Sequence, residues 1–259
     1  MRFASLGSGS EGNALLIECR DGDRLVRILL DCGFGLKEAR RRLEVLGINE
    51  TDLDGILVTH EHGDHVGGAY RLASAARTTL HLTWGTLQAS MPSSSVELML
   101  ALIDPGKSFE IGGVVVTPFA VPHDAREPVQ FIFDDGRKRL GVLTDLGFVT
   151  PHVQQSLSRL DALVLECNHD AAMLADSNYP WGLKKRISGD YGHLSNAAAA
   201  SLLARIDHSR LSYVAAAHLS RQNNHPDLAR AALARAWGAD PSAIAIADQD
   251  RGLHWVEMG

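Results

Sequence analysis

Cysteine is scarce in this chain. Three residues, Cys19, Cys32 and Cys167, are spread over 259 positions. An odd, dispersed set does not make a disulfide framework, and no spacing among them suggests a structural zinc site. Buried thiols in a reducing, cytoplasmic compartment are the expectation. Long apolar runs are missing as well. No stretch approaches the roughly 20 residues that cross a bilayer, so no membrane role is expected. The opening MRFASLGSGSEGN lacks an apolar signal core, so no leader is expected either. Nor is there an excess of basic residues: the formal net charge is −6. Bulk electrostatics therefore does not recruit nucleic acid, and a polyanionic substrate would need cations and a local basic patch. Repeats, linkers and low-complexity blocks are absent too, which leaves one domain over 1–259 as the simplest organisation. With 45% hydrophobic and 22% charged residues, the chain can bury a core without staples and is not disordered.

What is present is concentrated between Asp54 and Gly68, in the stretch DGILVTHEHGDHVGG. Gly55 to Val58 reads as a short buried strand. His60, His62, Asp64 and His65 follow within six residues, and an Ala-rich segment beyond Gly68 predicts a helix to about Arg77. Imidazoles and a carboxylate crowded at a strand-to-helix turn suit borderline-soft divalent metals. A solvated polar loop is the plainer alternative.

The remaining chain alternates strands and helices, which predicts an α/β architecture. Strands are expected at Arg2–Leu6, Ala14–Cys19 and Val26–Leu30, with Gly7–Asn13 a hairpin turn rather than a phosphate cradle. Asp31 closes the third strand. Leu36–Leu46 has helical periodicity. Weaker signals mark a strand at Leu80–Leu82, a helix at Thr86–Met91 and a loop over 91–95. His81 alternates with apolar neighbours and reads as a core histidine. Val129–Phe133 and Leu140–Leu143 flank an Asp-Gly turn and predict a hairpin, with His123 before it and Asp145 after it. Asp161–Glu166 is a compact strand that runs into His169. A less regular insert holds Tyr179, Trp181, Lys184, Lys185 and Arg186. His193 precedes Ser195, a plausible cap for the helix Ala197–Ile206. Tyr213–Ala217 ends at His218, with Arg221, Asn223 and Asn224 beyond. Pro226 opens a helix through Trp237, and Ala243–Ala247 and Leu253–Glu257 close the chain. Each ligand-type cluster follows a strand, and loops of that kind converge at one sheet edge in α/β proteins.

The string HEHGDH is the H-x-H-x-D-H signature of the metallo-β-lactamase superfamily, which the chain resembles beyond this one motif. The segments SLGSGSEGN, VPHDAREPV, TDLG, LECNHD, NYPWGLKKRI, GHLSN and AHLSRQNN are similar to the YycJ (WalJ) branch, and together they run from residue 5 to 224. The resemblance implies a four-layer αββα sandwich and two divalent metal ions, Zn2+ or Mn2+, since the same N/O ligands accept both. It implies His60, His62 and His123 for one ion and Asp64, His65 and His218 for the other, with Asp145 bridging and Asp31 supporting the loop. Two such ions acidify water to a pKa of roughly 7 and hold the attacking hydroxide beside a phosphoryl oxygen, and Asp64 could orient that hydroxide. Glu166 and His193 are similar in position to the proton-donor pair of RNase Z-type enzymes. His193 would be the general acid and Glu166 its support, the alternative being a capping loop with a structural histidine. His169 reads equally as support or as an ordinary residue.

The branch is thought to hold nucleases, so 5′-to-3′ exonuclease action on DNA is implied. No insertion resembles a β-CASP domain and no arm resembles that of tRNA-processing enzymes. Lys184, Lys185, Arg186, Arg221, Asn223 and Asn224 are candidate contacts to the nucleic acid, with Tyr179 and Trp181 available for stacking. The alternative is a solvated basic face over core aromatics. Two other functions remain open: a small-molecule cyclic phosphodiesterase of the PhnP type, whose extra cysteine-containing zinc site has no counterpart here, and a metal-stabilised module binding nucleic acid or a repair complex. Self-association is left open.

Overall fold

The computed structural model describes residues 1–91 and 97–259, and the loop expected over 91–95 lies outside them beyond Met91. Fourteen strands are seen among the described residues. They are β1 (Arg2–Gly7), β2 (Ala14–Asp21), β3 (Arg24–Leu30), β4 (Gly55–Leu57), β5 (Thr79–Leu82), β6 (Met99–Leu102), β7 (Phe109–Ile111), β8 (Val114–Ala120), β9 (Val129–Asp134), β10 (Arg139–Leu143), β11 (Ala162–Glu166), β12 (Tyr213–Ala217), β13 (Ile244–Ile246) and β14 (Leu253–Glu257). They form two sheets, ordered β14-β1-β2-β3-β4-β5-β6 and β13-β12-β11-β10-β9-β8-β7.

Strand β2 shows why the sheets stack. Leu15, Ile17 and Cys19 enter the cluster between the sheets, where they join Phe131, Phe133, Val142 and Val164 of the second sheet. Ala14 and Leu16 point the other way, into the cluster beneath the helices. Successive side chains alternate faces, so a strand buried on both sides reads as one continuous apolar run.

The helices are α1 (Leu36–Val45), α2 (Gly63–Val66), α3 (Ala69–Ala76), α4 (Trp84–Ser90), α5 (Pro151–Ser156), α6 (Ala171–Asp176), α7 (Trp181–Ile187), α8 (Asn196–Arg205) and α9 (Pro226–Trp237). Ala39 and Leu43 of α1, with Leu72 and Ala73 of α3, cover the first sheet. Val153 of α5, Leu202 and Leu203 of α8 and Leu233 of α9 cover the second. The layers are therefore αββα, and the expected hairpins β1–β2 and β9–β10 are both antiparallel.

The helix expected beyond Gly68 is α3, and two further local readings need correction. A short helix, α2, precedes α3 and is separated from it at Gly67–Gly68, where the Gly68 N–H bonds to the Cys32 carbonyl at 2.7 Å. A Cβ on Gly68 would stand 1.8 Å from the Phe34 carbonyl oxygen, so this close approach needs glycine. The insert after β11 is helical, as α6 and α7. Strand β6, with the sequence MLAL, is paired to β5 at the sheet edge and carried no alternation by which to find it.

Candidate metal centre and cleft

The parallel strands set the site. β4, β10, β11 and β12 deliver the 59–65 loop, Asp145, Glu166 and His218 from their carboxyl ends. The first loop is fixed from below by Asp31, whose Oδ1 accepts the Thr59 N–H at 2.8 Å and whose Oδ2 lies 2.8 Å from His65 Nδ1. This is the support expected of Asp31, and it leaves Nε2 of His65 to face the site. Thr59 adds a hydroxyl 3.0 Å from His60 Nδ1. Asp31 and His218 both adopt left-handed backbone, with φ of 61° and 55°. At His218 the strain is held by the Ser8 hydroxyl, which accepts its N–H at 2.9 Å, and by Asn168, which donates to its carbonyl at 3.2 Å.

The seven candidate ligands converge. His60, His62 and His123 offer ring nitrogens all within 4.8 Å of one another, and so do the donors of Asp64, His65 and His218. These are the two groups that the resemblance implied. Asp145 lies between them: its Oδ2 is 3.0 Å from His65 Nε2, and its Oδ1 is 3.4 Å from His218 Nδ1 and 3.8 Å from His123 Nε2. Asp145 Oδ2 is buried and takes no hydrogen bond. Buried polar atoms are normally satisfied, so a cluster of lone pairs facing one point fits a divalent cation, with N/O donors of the right hardness.

Electrostatics tells the same story. Burial works against charge throughout, but His218 and His65 hold the Asp145 carboxyl well below its usual range. Likewise, burial is outweighed at Asp64, where hydrogen bonds from His218 and His65 keep the carboxylate charged. Burial lowers His60 and His123, which are surrounded by other imidazoles. His218, although buried, is raised to about 9 by Asp145 and Asp64.

Glu166 and His193 meet as the resemblance implied. Glu166 is fully buried, and His193 Nδ1 lies 2.7 Å from its Oε1. The other oxygen, Oε2, accepts the backbone N–H groups of Leu146 at 2.9 Å and Leu194 at 3.1 Å, so the carboxylate does not swing. Burial opposes the imidazolium of His193, yet Glu166 and Asp145 raise it to about 10. His169 is buried and bridges to Ser195, with its ring Nδ1 unpartnered, and it does not join any of the candidate ligand groups.

A cleft of about 410 Å3 opens over this cluster, lined by Asp64, Asp145, His193, His218 and Ser220 on the polar side and by Tyr179, Leu183 and Ile187 of the insert. The expected nucleic-acid contacts divide here. Arg186 lines the cleft and its Nε donates to Asp124 Oδ2 at 2.6 Å. Lys184 instead donates to the Ala175 carbonyl, and Lys185 sits 5.1 Å from the ring of Trp181, away from the cleft. Arg221 is paired with Glu11 and Asp250. Asn223 and Asn224 are buried. Asn224 bonds Asn196 and the Cys167 carbonyl, while Asn223 bonds Ser220. These two asparagines knit the loop after β12 to the fold, which corrects their assignment as substrate contacts.

Sequence reasoning missed two participants. Asn13 reaches Asp64 Oδ2 at 3.3 Å and His65 Nε2 at 3.1 Å, and Asp124 Oδ1 lies 3.4 Å from His123 Nε2. The signal for Asp124 was its place next to a candidate ligand. Asn13 had only its position at the end of a glycine-serine turn.

Residues 26–214 match the family model described as the beta-lactamase superfamily domain. The chain is 33% identical over 233 residues to an exodeoxyribonuclease YycJ of Bacillus anthracis, covering 89% of this chain and 86% of that protein. It is 32% identical over 232 residues to an exodeoxyribonuclease WalJ of Streptococcus pneumoniae, covering 88% and 85%. Among solved structures, the metallo-beta-lactamase fold protein YhfI from Bacillus subtilis superposes with a TM-score of 0.74 at 15% identity over 99% of both chains, which supports the fold. With its ligand motif, its αββα layers and this similarity over most of its length, the chain belongs to the metallo-β-lactamase superfamily, in the YycJ-like branch.

Proposed function

We propose that this protein is a dinuclear-metal phosphodiesterase that acts on DNA as a 5′-to-3′ exonuclease, with all 259 residues serving one catalytic domain in the cytoplasm. What supports the reading is the meeting, in one cleft, of the two three-residue donor groups, the shared Asp145 and the locked Glu166–His193 pair. The relatives named exodeoxyribonucleases add to it. His60, His62 and His123 would hold one cation and Asp64, His65 and His218 the other, with Asp145 between them. Zinc and manganese both suit these donors. When bound, such ions supply Lewis acidity toward a phosphoryl oxygen and acidify water.

The chain's own residues supply the rest. His193 uses Nδ1 toward Glu166, so Nε2 is left to give a proton to the departing oxygen. Glu166 keeps the ring oriented and charged, because its second oxygen is tied to two backbone amides. Asp64, ionised and pointing into the cleft, can orient a water for attack. Arg186 gives the cleft a fixed positive charge for phosphate.

A PhnP-type role on small cyclic phosphates fits less well, because Cys19, Cys32 and Cys167 are buried and stand outside every donor group among the described residues. No helix among the described residues is long and apolar enough to cross a membrane. The test uses purified protein with Zn2+ or Mn2+ on 5′- and 3′-end-labelled single- and double-stranded DNA, a cyclic ribose phosphate and a β-lactam. Mononucleotide release from the 5′ end is expected. Activity on the cyclic phosphate alone, or on none of these, overturns the proposal.

A further inference from the structure

The wall of the cleft contributed by the insert differs in chemistry from the rest. Tyr179, Leu183 and Ile187 are spaced i, i+4, i+8 along α7 and the turn before it, and all three are half-buried with their open faces lining the cleft. Trp181 and Lys185 stand on the other side of the helix, and Trp181 is 74% exposed. Among the described residues that line the cleft, Arg186 is the single lysine or arginine, facing a lining that includes Asp64, Asp124 and Asp145. Its pairing with Asp124 uses Nε and leaves the terminal nitrogens for another partner.

The insert is also held in register with the proton-donor pair. The His193 N–H bonds to the Ile187 carbonyl at 2.8 Å. A Cβ on Gly192 would stand 2.2 Å from the carbonyl oxygens of both Arg186 and Ile187, so the turn bearing His193 rests directly on the last turn of α7. A group lying on the Tyr179–Leu183–Ile187 wall is thereby placed at a set distance from the acid.

We propose that this wall is a nucleobase subsite for one unpaired nucleotide, and that Arg186, positioned by Asp124, holds the adjoining phosphate. The proposal rests on the phosphodiesterase reading above and names what its cleft selects. The cleft volume, about 410 Å3, lies within the range of small-ligand pockets, the size class of a single nucleotide. A wall of aliphatic carbon and one phenol ring gives each base a surface to lie on and few donors or acceptors to read its edge. Binding is therefore base-tolerant, as an enzyme that trims any sequence needs.

The experiment is calorimetric titration of the metal-loaded protein with dAMP, dGMP, dCMP, dTMP and inorganic phosphate. Each nucleotide is expected to bind about tenfold tighter than phosphate, and the four to agree within about threefold. Tyr179→Ala and Leu183→Ala each lower the nucleotide-to-phosphate ratio at least about threefold, Arg186→Gln weakens nucleotide and phosphate together, and Trp181→Ala keeps the ratio. Circular dichroism and thermal melting confirm that each variant is folded. Equal binding of all five ligands, or a ratio untouched by both wall substitutions, overturns the subsite. Hydrolysis of bis(p-nitrophenyl) phosphate by the same wild-type preparation separates the two claims. If it proceeds while nucleotide and phosphate bind alike, the subsite alone falls; if no phosphodiester is cleaved, the parent reading falls.

Discussion

Asp31 Oδ2 lies 2.8 Å from Nδ1 of His65, deep beneath a loop on which four candidate ligands stand. The same carboxylate takes the Thr59 N–H and hydroxyl, so one buried acid sets both the backbone of the loop and the ring tautomer of its last histidine. Metal-binding histidines commonly rest on such a partner, and its removal typically weakens metal by 10- to 100-fold. Asp31→Asn is expected to lose roughly that much affinity, measured by competition with a chromophoric chelator. Unchanged affinity with unchanged loop structure would remove Asp31 from this role.

The Glu166–His193 pair makes a different prediction. His193 is reached from the cleft, and the pair borders the ligands, with His193 Nδ1 3.2 Å from Asp145 Oδ1 and Glu166 Oε1 3.4 Å from His218 Nδ1, so these four residues also form a donor group. With His193 as proton donor and not as ligand, His193→Ala and Glu166→Gln each slow turnover, by about 10²- to 10⁴-fold for loss of a positioned acid, while metal content stays near wild type. Because Glu166 acts through His193, the double variant should be little slower than the worse single one. Metal analysis beside the kinetics decides the matter: a histidine variant stripped of metal belongs to the ligand shell instead.

Proton release on metal uptake follows from the charge balance. In the metal-free protein the buried imidazole of His218, despite desolvation, is held to about 9 by Asp145 and Asp64. At pH 7.5 it carries a proton that a cation must displace, since only neutral imidazole binds metal. The sign is therefore fixed: affinity rises with pH, and protons are released per cation bound below pH 9, with the yield falling above it. Titration in a weakly buffered indicator dye reads this directly. Metal uptake with no pH change from 7 to 8 would show that His218 is neutral before binding.

How much of this was legible in the residue order varied with the kind of signal. The 54–68 stretch announced itself because a buried strand and four ligand-type residues lie within fifteen positions. His123, Asp145 and His218 each follow or precede an apolar run, which sets them near strand ends, but their assignment as ligands came from the resemblance of VPHDA, TDLG and AHLS to the superfamily's motifs. The substrate side was less legible. Lys184, Lys185 and Arg186 are adjacent in sequence but point about 100° apart on a helix, so one of the three reaches the cleft. Asn223 and Asn224 look like exposed polar residues after a candidate ligand, yet both are buried, because the loop after β12 folds back under Asn168 and Asn196. Sequence shows polarity; it does not show which way a loop turns.

The thiols give a test independent of activity. Burial pushes Cys19 and Cys32 up to about 12, with nearby Asp135 and Asp31 adding to the effect at each, and raises Cys167 as well. At pH 8 only about one thiol in 10⁴ of such a kind is ionised, and thiolate is the reactive form. The native protein should resist iodoacetamide for hours while the urea-unfolded chain takes up three labels, as counted by intact mass. Rapid labelling of the native protein at Cys19 or Cys32 would mean that the core between or beneath the sheets opens.

Gly33 offers the sharpest structural test of the metal loop. The chain enters it from β3 through Asp31 and Cys32, and the Cys32 N–H bonds to the His65 carbonyl at 2.8 Å. A Cβ on Gly33 would stand 2.0 Å from the backbone carbonyl oxygen of Asp64, closer than any atom pair tolerates. Neither partner is a flexible side-chain end, so Gly33→Ala must push the 63–65 backbone away from the sheet. Overpacking of this kind costs about 1–3 kcal/mol, which thermal unfolding would read as a lower midpoint. The displaced segment carries Asp64 and His65 of the second donor group, whereas His62 and His123 of the first lie outside the contact. Gly33→Ala is thus expected to weaken one of two metal equivalents more than the other, and stepwise titration followed by calorimetry distinguishes that from an equal loss at both.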